Sequence, residues 1–247
     1  MRIATLNLRA DSDRWDERFP LVVDTLHAAD ADVIALQEVR IKIQQAQLIA
    51  DTLNQRDPQS RYTVHLCKDW FTPHILANAI LARVPAIAHE RIELPQGFRT
   101  AQRLLFALDG REVLVANTHL HHKPYRDETI RLPQMRYLLD WLAQAHRPYV
   151  LVGDMNARPA SVTIQHAKHD HGLRSAHETV QGREPAQTFP TPLRTDKVLK
   201  PRAIDYIFCT AHWQITACDV IGDQAHPADA TLYPSDHFGL VGACHLR

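Results

Sequence analysis

The chain of 247 residues carries 28 Lys plus Arg against 28 Asp plus Glu, so its formal charge is zero with its 16 His neutral. A hydrophobic fraction of 45% with 23% charged residues excludes a disordered or fibrous chain, and the length is enough for one large domain with a substantial core. Charge balance argues against a general nucleic-acid coat protein, which needs a basic excess, but leaves room for a local basic cleft.

In chain order, residues 2–8 read as a strand. Phe19, Val22, Val23 and Leu26 then recur at the spacing of an amphipathic helix. Residues 32–38 (DVIALQE) form a mostly apolar run ending in a carboxylate, as a buried strand would. Ile43, Ala46, Ala50 and Leu53 mark a second helix. Strands are predicted at 62–66, 77–81, 86–94, 104–108 and 112–118, followed by a long helix over 128–145 with Ile130, Leu138, Trp141, Leu142 and Ala145 on one face. Residues 149–153 (YVLVG) are another buried strand, and 204–209, 213–221 and 238–246 complete the set. A strand–helix–strand unit thus occurs twice, ending first at Glu38 and later at Asp154. Each unit delivers polar side chains at strand ends, where α/β sheets place their sites. Residues 178–202 are the least periodic stretch and read as a long surface loop rather than a boundary. We expect a single domain over 1–247.

No apolar run approaches the ~18 residues that a bilayer span needs, and the N-terminus shows no signal-peptide pattern. The expected protein is cytoplasmic, with no stable membrane insertion. Cys67, Cys209, Cys218 and Cys244 form no C-x-x-C pair, so they read as small buried hydrophobes rather than a disulfide frame or zinc knuckle.

Polar clusters fall where apolar strands finish: Asn7, Gln37-Glu38, Asn117-Thr118-His119, Gly153-Asp154-Met155-Asn156, Ile204-Asp205-Tyr206 and Ser235-Asp236-His237. Such groups are costly in a core unless paired or liganded. Together they offer oxygen ligands for a hard cation, imidazoles for phosphate contact or proton transfer, and a carboxylate to orient water. Oxygen-rich donors with few His favour Mg²⁺ or Mn²⁺ over zinc. Phosphoryl transfer needs charge neutralisation and in-line geometry more than covalent help.

Taken in order, the segments T-L-N-L, L-Q-E-V, N-A-I-L-A-R, N-T-H-L, G-D-M-N, I-D-Y-I-F and S-D-H-F span nearly the whole chain. This series resembles the endonuclease/exonuclease/phosphatase (DNase I-like) superfamily, in its bacterial metal-dependent hydrolase branch. The resemblance implies an α/β fold, a four-layer sandwich of two packed mixed β-sheets flanked by helices, with one cleft at the sheet ends. It implies Glu38 as principal metal ligand, with Asn7 and Asp236 close to the ion or its waters. Asp154 would orient or deprotonate the attacking water, and Asn156 would contact phosphoryl oxygens. His237, supported by Asp205, would stabilise the transition state, and His119 would contact a phosphate oxygen or assist the leaving group.

The chain departs from the family pattern at His121-His122, where many relatives carry Asp after H-L. It departs again at Leu76-Ala77, where relatives often place Glu or Gly, so a Glu partner for His119 is not expected. Arg131 and Gln134 match an R-x-x-Q of bacterial members, and Arg131, His121 and His122 are candidate substrate contacts. Each residue also has a plain reading. Glu38 could be a surface carboxylate or helix cap, Asp154 and Asn156 an Asx-turn, Asp236-His237 an N-cap pair, Asp205 a strand-end salt bridge, and His119 a structural histidine. His121 and His122 could be solvated, like the scattered His65, His74, His166, His169 and His171. The aromatic run Trp70-Phe71 could stack on a base or lipid headgroup, and Arg194, Lys197, Lys200 and Arg202 could flank a cleft.

The function expected is hydrolysis of a phosphodiester by in-line attack of water. The substrate is a small-molecule diester, a nucleic acid or a phospholipid headgroup. A DNA or RNA nuclease is the closest rival and predicts steep salt dependence. A phosphomonoesterase shares the chemistry. A catalytically silent binding module has no need of Glu38, Asp154, Asn156, Asp236 and His237 together, and a zinc hydrolase lacks a convergent His pattern on a helix.

Overall fold

The structure, a computed structural model, describes residues 1–59, 61–68, 75–122, 128–194 and 199–247. In chain order these form β1 (Arg2–Asn7), α1 (Trp15–Ala29), β2 (Val33–Arg40), α2 (Gln45–Arg56), β3 (Thr63–Lys68), β4 (Leu76–Ala82), β5 (Ala86–Glu93), β6 (Thr100–Leu108), β7 (Arg111–His119), α3 (Arg131–Ala143), β8 (Tyr149–Asp154), α4 (Val162–Gln165) continued by a π-helical turn, β9 (Arg174–Ser175), α5 (Ala176–Gln181), β10 (Asp205–Cys209), β11 (Trp213–Ile221) and β12 (Gly239–Leu246). The strands make two six-stranded sheets, ordered β11-β12-β1-β2-β4-β3 and β5-β6-β7-β8-β10-β9.

The two sheets share one plan. Among the described strands, the parallel neighbours are β1 with β2 and β7 with β8, which occupy the same two central places. Each pair is joined by a crossover that contains a helix, α1 or α3, as parallel neighbours require. The two units read from the sequence therefore become the centres of the two sheets.

Alternation along the strands builds three layers of apolar contact. Ile3, Val33 and Ala35 of the first sheet meet Val113, Val115, Val150, Val152 and Ile207 of the second between the sheets. The intervening Ala4, Leu6, Ile34 and Leu36 pack outward on Val22, Val23 and Leu26 of α1 and Ile49 of α2. Leu114, Ala116 and Leu151 pack outward on Met135, Leu138 and Leu142 of α3. The result is the expected helix–sheet–sheet–helix sandwich. Each fully buried Val, Leu or Ile contributes roughly 1.5–3 kcal/mol.

Several boundaries differ from expectation. The long helix starts at Arg131 rather than 128. That later start puts Pro133 in the first turn, where its missing amide has no helical partner to lose. Ile43 lies before α2 and is 37% exposed. The stretch 178–202 is less open than a solvated loop. It begins inside α5, pairs Phe189 with Arg202 in an isolated bridge, and buries Thr188 and Thr191. The short elements α4, β9 and α5 were below what hydrophobic periodicity resolves. Trp70, Phe71, His74 and Lys197 lie outside the described residues.

Gly153 shows how closely the central strands approach the site. Its φ is +136°, and a Cβ there would lie 2.0 Å from the carbonyl oxygen of Thr118 on β7. Gly153→Ala is expected to destabilise the fold by about 3 kcal/mol or more, combining strain and overpacking, as read by denaturant unfolding. A change under about 1 kcal/mol would show that β7 and β8 tolerate separation.

Candidate active site

At one end of the inter-sheet layer the alternation switches from apolar to polar. In β7, Val113 and Val115 are followed on the same face by Asn117 and His119. In β8, Val150 and Val152 are followed by Asp154, and in β1, Ile3 is followed by Thr5 and Asn7. Strand period two thus carries both sheets' polar ends into one cleft.

Glu38 breaks that period. It follows the inward Gln37, so a regular strand would turn it toward the helices. A bulge between Leu36 and Val39, with Glu38 at φ +53°, re-aims it. Its carboxylate then meets the Asn7 amide at 3.4 Å and lies 4.0 Å from Nε2 of His119.

Beneath the cleft, a fully buried amide network locks the sheets in register. Gln37 Nε2 donates to Asn117 Oδ1 at 2.8 Å, and Asn117 Nδ2 donates to the carbonyls of Leu36 and Ala79. Such a network is satisfied in one alignment of the sheets and penalises others.

Asp154 is the centre of the cluster and is buried. Oδ2 accepts from Asn7 Nδ2 at 3.1 Å and lies 3.4 Å from His119 Nε2 and 3.8 Å from His237 Nε2. Oδ1 accepts from the backbone N–H of Asn156 at 2.8 Å. Burial, reinforced by the nearby Asp205 carboxylate, pushes its pKa up to about 7, against the pull of His237 and the two hydrogen bonds. Asn156 has φ +49° and donates its side-chain amide to the Leu120 carbonyl.

His237 Nδ1 bonds Asp205 Oδ2 at 2.9 Å. Burial by itself would lower the imidazole pKa. The Asp205 charge and hydrogen bond, with Asp154 and Asp236, outweigh it and raise the pKa to about 10. Asp205 Oδ1 has no hydrogen-bond partner among the described residues. The pair is held by groups outside the motifs: the hydroxyl of Thr188 accepts from the N–H groups of Ile204 and Asp205, and its carbonyl accepts from Phe238. Ser235 Oγ donates to the Asn7 carbonyl and accepts from the His237 amide, tying this turn to β1.

His119 is different. Burial, with the Arg99 charge beside it, lowers its pKa well below the ordinary value. Arg99 Nη1 faces Nδ1 at 3.3 Å. A guanidinium has only donors, so Nδ1 is the acceptor and the neutral ring carries its proton on Nε2, toward Asp154. As expected from Leu76-Ala77, no Glu bonds Nδ1 of His119; Arg99 faces it instead.

The remaining sequence candidates fall into three places. Asp236 is near the cleft, with Oδ2 accepting from Arg9 at 2.8 Å and Arg194 at 3.2 Å. Arg131 is fully buried, bonded to Glu128 at 2.8 Å and to the His121 carbonyl at 3.4 Å, so it braces the segment instead of facing a cleft. Gln134 likewise caps that segment, accepting from the His121 N–H and donating to Gln96. His121 and His122 stack on each other 5.2 Å apart, and His122 Nδ1 lies 3.5 Å from Arg99.

Sequence reading missed Arg9, Arg18, Arg99 and Thr188. Arg18 is fully buried and donates to the carbonyls of Asp13 at 2.7 Å, Leu8 at 3.1 Å and Pro234 at 2.8 Å, fastening the loop after β1 to the Ser235-Asp236 turn. Its signal was present: Trp15, Arg18 and Val22 share the buried helix face. Arg9 adjoins T-L-N-L, whereas nothing local marks Arg99 or Thr188.

Asp154, Asp205 and His237 each bring one ligand atom within 4.8 Å of the others, a buried group able to hold a metal ion. The architecture and this site define a phosphoesterase fold. The sequence pattern of the Endonuclease/Exonuclease/phosphatase family matches residues 4–237, and the chain belongs to that family. Sequence comparison with curated proteins gave no match. Among solved structures, the human Nocturnin catalytic domain with bound sulfate anion is 22% identical, with a TM-score of 0.79 over 100% of this chain and 94% of that one. TDP2 of D. rerio, complexed with single strand DNA product, is 19% identical with a TM-score of 0.81, covering 99% and 98%. The mannosyl-6-phosphatase of Bacteroides thetaiotaomicron is 19% identical with a TM-score of 0.79, covering 100% of both chains. These likenesses establish the DNase I-like fold. Among the described residues no helix is long and apolar enough to cross a membrane.

Proposed function

We propose that this protein hydrolyses phosphodiesters with the help of Mg²⁺ or Mn²⁺, by in-line attack of a water that Asp154 orients and deprotonates. The observation that carries the reading is the setting of Asp154. It is buried, pinned by Asn7 and the Asn156 amide, and placed between one neutral and one cationic imidazole. A carboxylate with pKa near 7 takes a proton readily and returns it at neutral pH.

The donor set fits a hard divalent ion at Glu38. Its carboxylate is 32% exposed, meets the Asn7 amide, and has no Lys or Arg partner among the described residues. The Asp236 carboxylate is already engaged by Arg9 and Arg194, which compete with a cation for it. The alternative group of Asp154, Asp205 and His237 suits a cation less well, because Nδ1 is committed to Asp205 and the ring is held protonated. A bound Mg²⁺ or Mn²⁺ would supply Lewis-acid charge to a phosphoryl oxygen.

The protein's own residues cover the remaining steps. As the water oxygen bonds to phosphorus and the bond to the leaving oxygen breaks, the water proton passes to Asp154. His237, charged and fixed by Asp205, faces the negative charge gathering on the phosphoryl oxygens. His119 offers a neutral N–H donor beside the same carboxylate, and Asn156 sits where its amide can contact a phosphoryl oxygen.

The test is hydrolysis of a chromogenic phosphodiester and its monoester counterpart with and without Mg²⁺ or Mn²⁺. Metal-dependent turnover of the diester supports the reading, and preference for the monoester moves the protein to phosphatase chemistry. Turnover that persists in chelator would sink it. Glu38→Gln is expected to weaken metal binding by about 10–100-fold, a magnitude typical of lost support at a metal site, measured by calorimetric titration of Mn²⁺. An unchanged affinity would move the metal away from Glu38.

A further inference from the structure

Strands β3 and β5 each form the edge of one sheet. His65 of β3 stands in register with Ile80, and His89 of β5 with Leu104, both residues of the inter-sheet core. Cross-strand partners share a face, so both imidazoles point into the layer between the sheets. There the two half-buried rings meet edge to face, with centroids 5.4 Å apart.

Their hydrogen bonds fix the tautomer of each ring. The Thr63 hydroxyl donates to the Ala82 carbonyl at 3.1 Å, so its oxygen is the acceptor toward His65 Nε2, 3.3 Å away. His89 Nε2 lies 2.9 Å from Oε1 of Gln102, which likewise only accepts. Burial lowers the pKa of both imidazoles from the ordinary value, which keeps them neutral at pH 7. With its one proton on Nε2, each ring leaves the Nδ1 lone pair open. Neither Nδ1 has a hydrogen-bond partner among the described residues. Gln102 itself is fully buried, and its Nε2 has no partner among the described residues. A buried amide satisfied only at its oxygen costs stability, and what that oxygen secures is the orientation of His89.

We propose that His65 and His89 form a metal site separate from the candidate active site, in which both Nδ1 atoms ligate one borderline divalent ion of the Zn²⁺ type and water fills the remaining positions. Imidazole nitrogen suits zinc, nickel and copper, whereas Mg²⁺ prefers oxygen. A metal-bound histidine characteristically donates its other ring N–H to an acceptor that fixes the ring. Thr63 and Gln102 are those acceptors here. An ion held by both rings bridges the edges of the two sheets.

Imidazole NMR on the wild-type protein tests the site, with His65→Asn and His89→Asn supplying the assignments. Both histidines are half-buried on edge strands, so these variants keep the fold. Before metal is added, both rings should show the Nε2-protonated tautomer. Mg²⁺ alone should move neither set of signals. Zn²⁺ added over excess Mg²⁺ should shift both in one step of shared affinity. Loss of either histidine should weaken Zn²⁺ binding at the other by about tenfold or more, and Gln102→Leu by about tenfold, the scale of a lost supporting contact. A ring protonated on Nδ1, signals that ignore Zn²⁺ or titrate independently, or an affinity at His89 unchanged in His65→Asn overturns the site. None of these readouts involves hydrolysis, so they stand whatever the phosphoester assays return.

Discussion

Asp154→Asn is expected to lower kcat by about 10³–10⁴, at the upper range for a positioned base, while leaving the fold intact. The amide matches the carboxylate in shape, and its oxygen can still accept from the Asn156 N–H or the Asn7 amide. Stability should respond in the opposite direction to activity. The Asp154 pKa is raised from 3.8 to about 7 by burial, so the folded state holds a proton that the unfolded chain releases over that range. Stability therefore falls as pH rises from about 4 through 7, and the substitution removes this cost. Denaturant unfolding at pH 8 should find the variant at least as stable as wild type. A variant that is inactive and strongly destabilised at pH 8 would instead make Asp154 a structural anion.

Asp205→Asn is expected to cost about 10²–10³ in kcat, the scale seen when charge stabilisation of a developing anion is lost. Asp205 gives His237 its charge. Without the Asp205 charge and hydrogen bond, burial is opposed only by Asp154 and Asp236, and the imidazole pKa should fall well below about 10. The sign can be followed in two ways. In wild type the raised pKa contributes stability below about pH 6.5, and this is lost as pH rises through about 10. Activity should rise through about 7 as Asp154 ionises and fall near 10 as His237 loses its proton. In Asp205→Asn the descending limb should move to lower pH. Imidazole NMR titration reads the pKa directly, and a His237 still charged at pH 8 in the variant would remove Asp205 from this role.

The residues of the site were unevenly legible. Asn7, Asp154, Asn156, Asp205 and His237 were readable because each ends an apolar run or follows it directly, and their order along the chain matches one family. Glu38 was readable as the end of a strand, but its aim was not. By alternation it should face α1 and α2, and only the bulge reverses it. Arg131 is a second case. Its motif fits a brace as well as a substrate contact, and its side chain is buried against Glu128 and the His121 carbonyl. A motif records that a residue type is required, and does not distinguish a ligand contact from a brace.

What the sequence determined by itself was local: strand and helix periods, the two strand–helix–strand units, and the polar residues at strand ends. Those follow from backbone geometry, which repeats every two or 3.6 residues and is written into neighbouring positions. Tertiary structure decided which of the polar residues meet. Asn7 and Asp154 touch although 147 positions separate them, and Arg9 reaches Asp236 across 227. The proton on His119 was settled by Arg99, twenty positions away on β6's approach, and the charge on His237 by Asp205. Protonation depends on burial and on the nearest charges, and both are set by how two sheets pack.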